Sequence, residues 1–100
     1  MKMKHWFCTI HKTEKRGTVT MEHVISVLQQ HTAYFQDLGK QGKCLFAGPF
    51  VDQTTELGGG IYSFICETEA EARNLADNDP LVKDGLYSYK MCEWRKVVPE

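Results

Sequence analysis

"GGGIYSFICETEAEARNLADNDP", Gly58 to Pro80, decides how the rest of the chain is read. Three glycines close a polar stretch. The run from Ile61 to Glu67 that follows is rich in aromatic and β-branched residues and reads as a strand. Thr68-Glu69-Ala70-Glu71 then fits a capping box, with Thr68 as N-cap and Glu71 reaching back. A helix is expected to about Asn78, with Ala72, Leu75 and Ala76 on its inner stripe and Asp79 continuing it. Pro80 stops the helix, because the proline ring pushes the residue before it out of helical geometry.

A second strand–helix unit precedes this one. "HWFCTIHK", His5 to Lys12, reads as a strand, and "TEKRGTV" as a polar loop. Thr20 is a suitable N-cap, Glu22 complements the helix dipole in the first turn, and Gly39 and Gly42 supply the stop. The helix should run from about Met21 to about Lys40. Its apolar stripe is expected at Met21, Val24, Ile25, Leu28, Phe35 and Leu38, spaced by threes and fours. "KCLFAGPFV", Lys43 to Val51, is a strand whose ladder is interrupted near its end by Gly48-Pro49. "LYSYKMCEWRKVV", Leu86 to Val98, is the last strand. The order β-α-β-β-α-β is the ferredoxin-like split βαβ plan, an α+β fold with both helices on one face of a four-stranded antiparallel sheet.

The strands carry a second message. Trp6, Cys8 and Ile10 alternate with Phe7 and Thr9, and Tyr62, Phe64 and Cys66 alternate with Ile61 and Ile65. Both faces are thus substantially apolar, whereas a sheet with helices on one side usually has a polar other side. A second copy packed sheet to sheet is the expected cover. The alternative is a face that exposes aromatics to bind a ligand.

The 100 residues make one domain, residues 1–100. A net charge of -1 provides no field for nucleic acid or an anionic membrane, and the apolar runs are too short to span a bilayer. The basic N-terminus lacks the long apolar core of a secretion signal, so a cytoplasmic location is expected. Cys8, Cys44, Cys66 and Cys92 all fall in expected strands, and their gaps fit no zinc pattern. Buried reduced thiols are expected, with no metal and no cofactor.

Two residues stand out for chemistry. On a helical wheel His31 lies between Val24 and Leu38 on the buried stripe, whereas His23 points away. Asp79 projects toward the same interior from the C-terminal end of the second helix. That end carries partial negative charge, so the carboxylate calls for a compensating partner, and His31 faces it. Two plainer roles stand beside these: a core histidine bonded to a backbone carbonyl, and an aspartate opening the turn of "NDPLVKDG". The turn role is compatible with the pair. Tyr34, one turn beyond His31, either packs at the edge of the stripe or donates to a substrate. Gly48 and Pro49 are expected at a pocket rim.

"HTAYFQDLGKQGKCLFAGPF" and "GGGIYSFICETEAEARNLADNDPLVKDGL" together resemble the YciI-like family, also called the YCII-related domain, over nearly the whole chain. The shared features are a helix His followed by an aromatic-leucine turn, an A-G-P after the second strand, and an A-x-x-D-P closing the second helix. The resemblance implies a ferredoxin-like dimeric α+β barrel with an active site on the helix His and the Asp of D-P, here His31 and Asp79. The family often carries an Arg shortly before its His, where this chain has "VLQQH", and an aromatic after D-P, where this chain has Leu81. It is linked to lyase or isomerase steps on small ring compounds.

A His-Asp pair suits proton transfer, in which the carboxylate holds the imidazole in one tautomer and stabilises the imidazolium. The expected function is therefore a small-molecule lyase or isomerase, with the substrate left open. A non-catalytic small-molecule-binding dimer is the alternative. The same strand order serves RNA-recognition domains, but "GGGIYSFICE" lacks their basic and aromatic positions. Small monooxygenases also use such barrels, and the D-P motif argues against them.

Overall fold

The structure, a computed structural model, describes residues 2–100. It contains strand β1 (Lys4–Lys12), a single 3-10 turn (Glu14–Thr18), helix α1 (Met21–Lys40), strands β2 (Cys44–Pro49) and β3 (Gly60–Cys66), helix α2 (Glu69–Asp77), a one-turn helix α3 (Pro80–Lys83) and strand β4 (Tyr87–Trp94). The four strands form one antiparallel sheet in the order β2-β3-β1-β4, the ferredoxin-like arrangement.

Helix α1 begins and ends where its caps dictate. The Thr20 hydroxyl accepts from the His23 amide at 3.1 Å, and the Gln41 amide closes the other end on the Asp37 carbonyl. Its buried stripe is Val24, Val27, Phe35 and Leu38, with Leu28 partly buried. The expected stripe had included Met21 and Ile25, which are 64% and 48% exposed. Val27 takes the inner position because it lies one turn before His31, over the sheet. Helix α2 starts as its capping box requires, with the Thr68 hydroxyl accepting from the Glu71 amide at 3.2 Å.

The helices cover Trp6, Cys8, Ile10, Tyr62, Phe64 and Cys66, which with the two helix stripes make the core. The helix-free face carries Phe7, Ile61 and Ile65, half-buried, and the more exposed Phe46. Trp94 lies across this face. Its indole N–H donates to the Ser63 hydroxyl at 2.8 Å, and its ring lies 5.5 Å from that of His5 and 6.1 Å from that of Phe46. One residue of β4 thus shields the centre of the face and leaves Ser63 without solvent exposure. Strand β4 ends at Trp94, short of the expected Val98. Its one neighbour is β1, and the ladder stops at the His5–Trp94 pairing.

The glycine run has a steric cause. Gly58 has φ 98°, and a Cβ there would lie 2.3 Å from the Ile10 carbonyl oxygen. A Cβ on Gly60 would meet the Gly48 carbonyl at 2.7 Å. These contacts draw the 51–59 loop onto the ends of β1 and β2, where the Gly59 amide donates to the Ile10 carbonyl. The thiols are free, but only Cys8 and Cys66 are buried. Cys44 is half-buried, and Cys92 is exposed because β4 is an edge strand and Cys92 lies on the helix-free side, opposite Phe7. Among the described residues no helix is long and apolar enough to cross a membrane.

Candidate active site

Asp79 is not simply the end of a helix. Its backbone, at φ -59° and ψ 126°, leaves helical geometry as proline requires of the residue before it. Pro80 then occupies the first position of α3, where its missing N–H costs nothing. Asp79 is the N-cap of that turn, and its Oδ1 accepts from the Leu81 amide at 3.0 Å. The sequence had placed the carboxylate against the unfavourable end of α2. The short helix that follows supplies an N–H instead, so the side chain that makes the turn remains free to face α1 as well.

The same Oδ1 lies 2.7 Å from Nδ1 of His31. Asp79 has 0% side-chain exposure and His31 18%. The contact spans 48 residues of sequence and joins the middle of α1 to the junction of α2 and α3. A carboxylate oxygen accepts, so Nδ1 carries the proton, and in the neutral ring Nε2 is the free base. Phe35, one turn further along α1, packs on the imidazole with ring centroids 4.9 Å apart and fixes its plane. The second oxygen of Asp79, Oδ2, is buried with no hydrogen-bond partner.

His31 forms part of the wall of a cavity of about 410 Å³ between α1 and the β2 edge of the sheet. Gly48 and Pro49 line it, together with the rest of β2. Leu81 and Tyr62 are also in its wall, and Thr32, Gln36 and Gln53 bring polar side chains. The volume falls within the range of small-molecule sites, and a mostly apolar wall with a few polar groups is their usual composition. Tyr34 is not among the lining residues. Its hydroxyl donates to the Leu75 carbonyl at 2.8 Å, its ring meets Phe35 edge-on, and burial raises its pKa, so the group stays protonated as a donor to α2. The packing role is thus filled by the contacts with Leu75 and Phe35.

Cys44 reaches the cavity, but burial raises its pKa, which works against a thiolate nucleophile. Cys8 is pushed up to about 12, chiefly by burial. Among the described residues no group of three or more His, Cys, Asp or Glu side chains clusters as a metal site. Thr32, Gln36 and Gln53 escaped the sequence reading. Thr32 and Gln36, four apart on α1, had a readable signal in lying beside His31, but a loop residue such as Gln53 had none.

The sequence matches no curated protein. Among solved structures the fold is similar to that of 5-chloro-2-hydroxyhydroquinone dehydrochlorinase (TftG) from Burkholderia phenoliruptrix AC1100, in complex with 2,5-dihydroxybenzoquinone. The TM-score is 0.68 at 20% identity, covering 91% of this chain and 93% of that one. The family profile of the YCII-related domain matches residues 5–95, and the chain belongs to that family.

Proposed function

We propose that the chain is an enzyme that moves a proton on a small ring compound, in a lyase- or isomerase-type reaction, with His31 as base and Asp79 as its partner. The observation that carries this reading is the 2.7 Å contact between His31 Nδ1 and a fully buried carboxylate, at the wall of a cavity sized for a small molecule. The similarity in fold to a dehydrochlorinase supports the reaction class. In an elimination from the keto tautomer, whose leaving group stands on a tetrahedral ring carbon, Nε2 takes a proton from a ring hydroxyl or carbon. The electron pair left behind moves into the ring and expels the leaving group as an anion. Asp79 then faces an imidazolium and stabilises its charge. Gly48 and Pro49 shape the rim, and Tyr34 holds α1 against α2. The proton transfer itself calls for neither a metal nor an organic cofactor.

The test is a panel of chlorinated hydroxyhydroquinones and their chlorine-free counterparts, followed by chloride release and by ultraviolet absorbance. Turnover by the wild type, lost in His31→Gln, supports the reading. Binding without turnover across the panel would overturn the reaction class and favour the non-catalytic binding reading.

The second part of the proposal is a homodimer packed on the helix-free face. Phe7, Ile61, Ile65, Phe46 and Trp94 share that face, with the Phe46 ring 6.3 Å from Phe7 and 6.1 Å from Trp94, and clustered apolar side chains with no covering layer suit a protein partner. Sedimentation should give about twice the mass of the chain. Labelling of exposed Cys92 should slow as the dimer forms. A monomer at all concentrations with rapid Cys92 labelling would reject it.

A further inference from the structure

Two buried oxygens lack a hydrogen bond of good geometry: Oδ2 of Asp79, and the hydroxyl of Tyr62, whose one candidate neighbour is the weakly bonding thiol of Cys8, opposite it across β1 and β3. Their residues are 0% and 1% exposed. Native cores leave few such atoms unpaired, and one that persists usually has a role or a bridging water. The ring of Tyr62 packs on Phe35 at 4.5 Å between centroids, and Phe35 packs on His31 at 4.9 Å. One side chain therefore separates the phenol from the imidazole. Burial first, then charge at Cys8 and at Asp79, raises the Tyr62 pKa, so the hydroxyl remains protonated and available to donate. Phe64, the next inward residue of β3, is just as buried and joins the same core without a hydroxyl. Packing alone does not account for a tyrosine at position 62.

We propose that Tyr62 is a positioning residue for the His31–Asp79 pair, its hydroxyl donating through one buried water to Oδ2 of Asp79. Oδ1 already serves two donors, the Leu81 amide and His31 Nδ1–H. A partner on Oδ2 fixes the remaining freedom of the carboxylate, its rotation about Cβ–Cγ, and keeps Oδ1 in line with the imidazole. The water accepts from the phenol and donates to the carboxylate, which pairs both orphan atoms at once. Outer partners of this kind orient the group that does the chemistry, and here the partner's ring also stands in the cavity wall. The role assigned to Tyr62 rests on His31–Asp79 being the reacting pair, but its test needs no substrate.

The experiment uses ligand-free protein. In the wild type the Nδ1–H proton of His31 should give a resolved downfield NMR signal in slow exchange with water. Tyr62→Phe keeps the ring and removes the hydroxyl, and it should speed that exchange about fivefold, the factor that one net hydrogen bond is worth, while unfolding stays cooperative. A high-resolution crystal structure of the wild type should show a water within about 3.2 Å of both Asp79 Oδ2 and Tyr62 Oη. If Tyr62→Phe leaves the exchange unchanged, or no water joins the two atoms, the proposal is overturned, whatever the turnover assay gives. If both results hold and no turnover is found, the positioning network stands and the proton-transfer reading falls.

Discussion

Two His-Asp pairs join α1 to the two ends of α3, and they are built from the same parts. His31 meets Asp79 at 2.7 Å, and His23 meets Asp84 at 2.6 Å. Distance and chemistry do not separate them, but surroundings do. The first pair has side-chain exposures of 18% and 0%, borders the cavity, and uses an aspartate that also caps a helix. The second has 42% and 31%, lies at the surface, and shares its region with Lys15, whose ammonium donates to the Asp84 carbonyl. Bulk water can reach both partners of the outer pair and screens their attraction. The inner pair is held in one geometry by packing, and its histidine lines the cavity. A close His-Asp contact thus becomes a candidate catalyst only where burial fixes it and a cavity receives it, and elsewhere it is a clamp.

The largest difference is expected in turnover. His31→Gln keeps a donor for Asp79 but removes the base, and should lower kcat by about 10²–10⁴, the usual contribution of general acid–base catalysis. His23→Gln should leave kcat unchanged. Equal losses in the two variants would erase the distinction. Stability comes next. Asp79→Ala removes the acceptor of two donors at once, the Leu81 amide that it caps and the His31 ring nitrogen, which together costs about 2–4 kcal/mol. For a chain of this length that lowers Tm by about 10 °C or more. Asp84→Ala should give a far smaller change by the same thermal melt, and one that shrinks further in high salt.

The smallest effect is the pH response of the outer pair. Hydrogen bonding to His23 holds the Asp84 carboxyl below its usual range, with the His23 and Lys15 charges adding to it. A lowered folded pKa contributes stability that is fully present above the unfolded value, near pH 4, and is lost as pH falls through the folded value. The stability gap between wild type and Asp84→Asn, from urea melts, should therefore be level at neutral pH and close below about pH 4. A gap that widens on acidification would mean that Asp84 is not stabilised by its cationic neighbours.

What the sequence could reveal about these pairs follows from which interactions are local. Thr20, Thr68 and the glycines after Leu38 act on their own neighbours in the chain, so the helix limits could be read. The three-and-four spacing placed His31 inward, between Val24 and Leu38 on the wheel, although Met21 and Ile25 were mistaken for part of the stripe and Val27 was left out of it. An amphipathic pattern does not say how wide the sheet beneath a helix is. Asp79 was legible as a partner for His31, but α3 was not, since one turn is too short to show periodicity. Its signal was the Asp-Pro pair, which opens a helix as readily as it closes one. The His23–Asp84 contact spans 61 residues and left no trace in either segment. Tyr62 looked like any inward strand residue, and only its orphaned hydroxyl sets it apart from Phe64.

The distinction between the pairs, and the place of the site, meet their most direct test in NMR mapping of the labelled protein as 2,5-dihydroxybenzoquinone is added. The account predicts that the His31 ring nitrogens and the amides of Cys44 to Gly48 and Gly59 shift together and saturate, while His23 and Asp84 stay still. Shifts confined to the His23 region or to the helix-free face, with His31 unmoved, would contradict it.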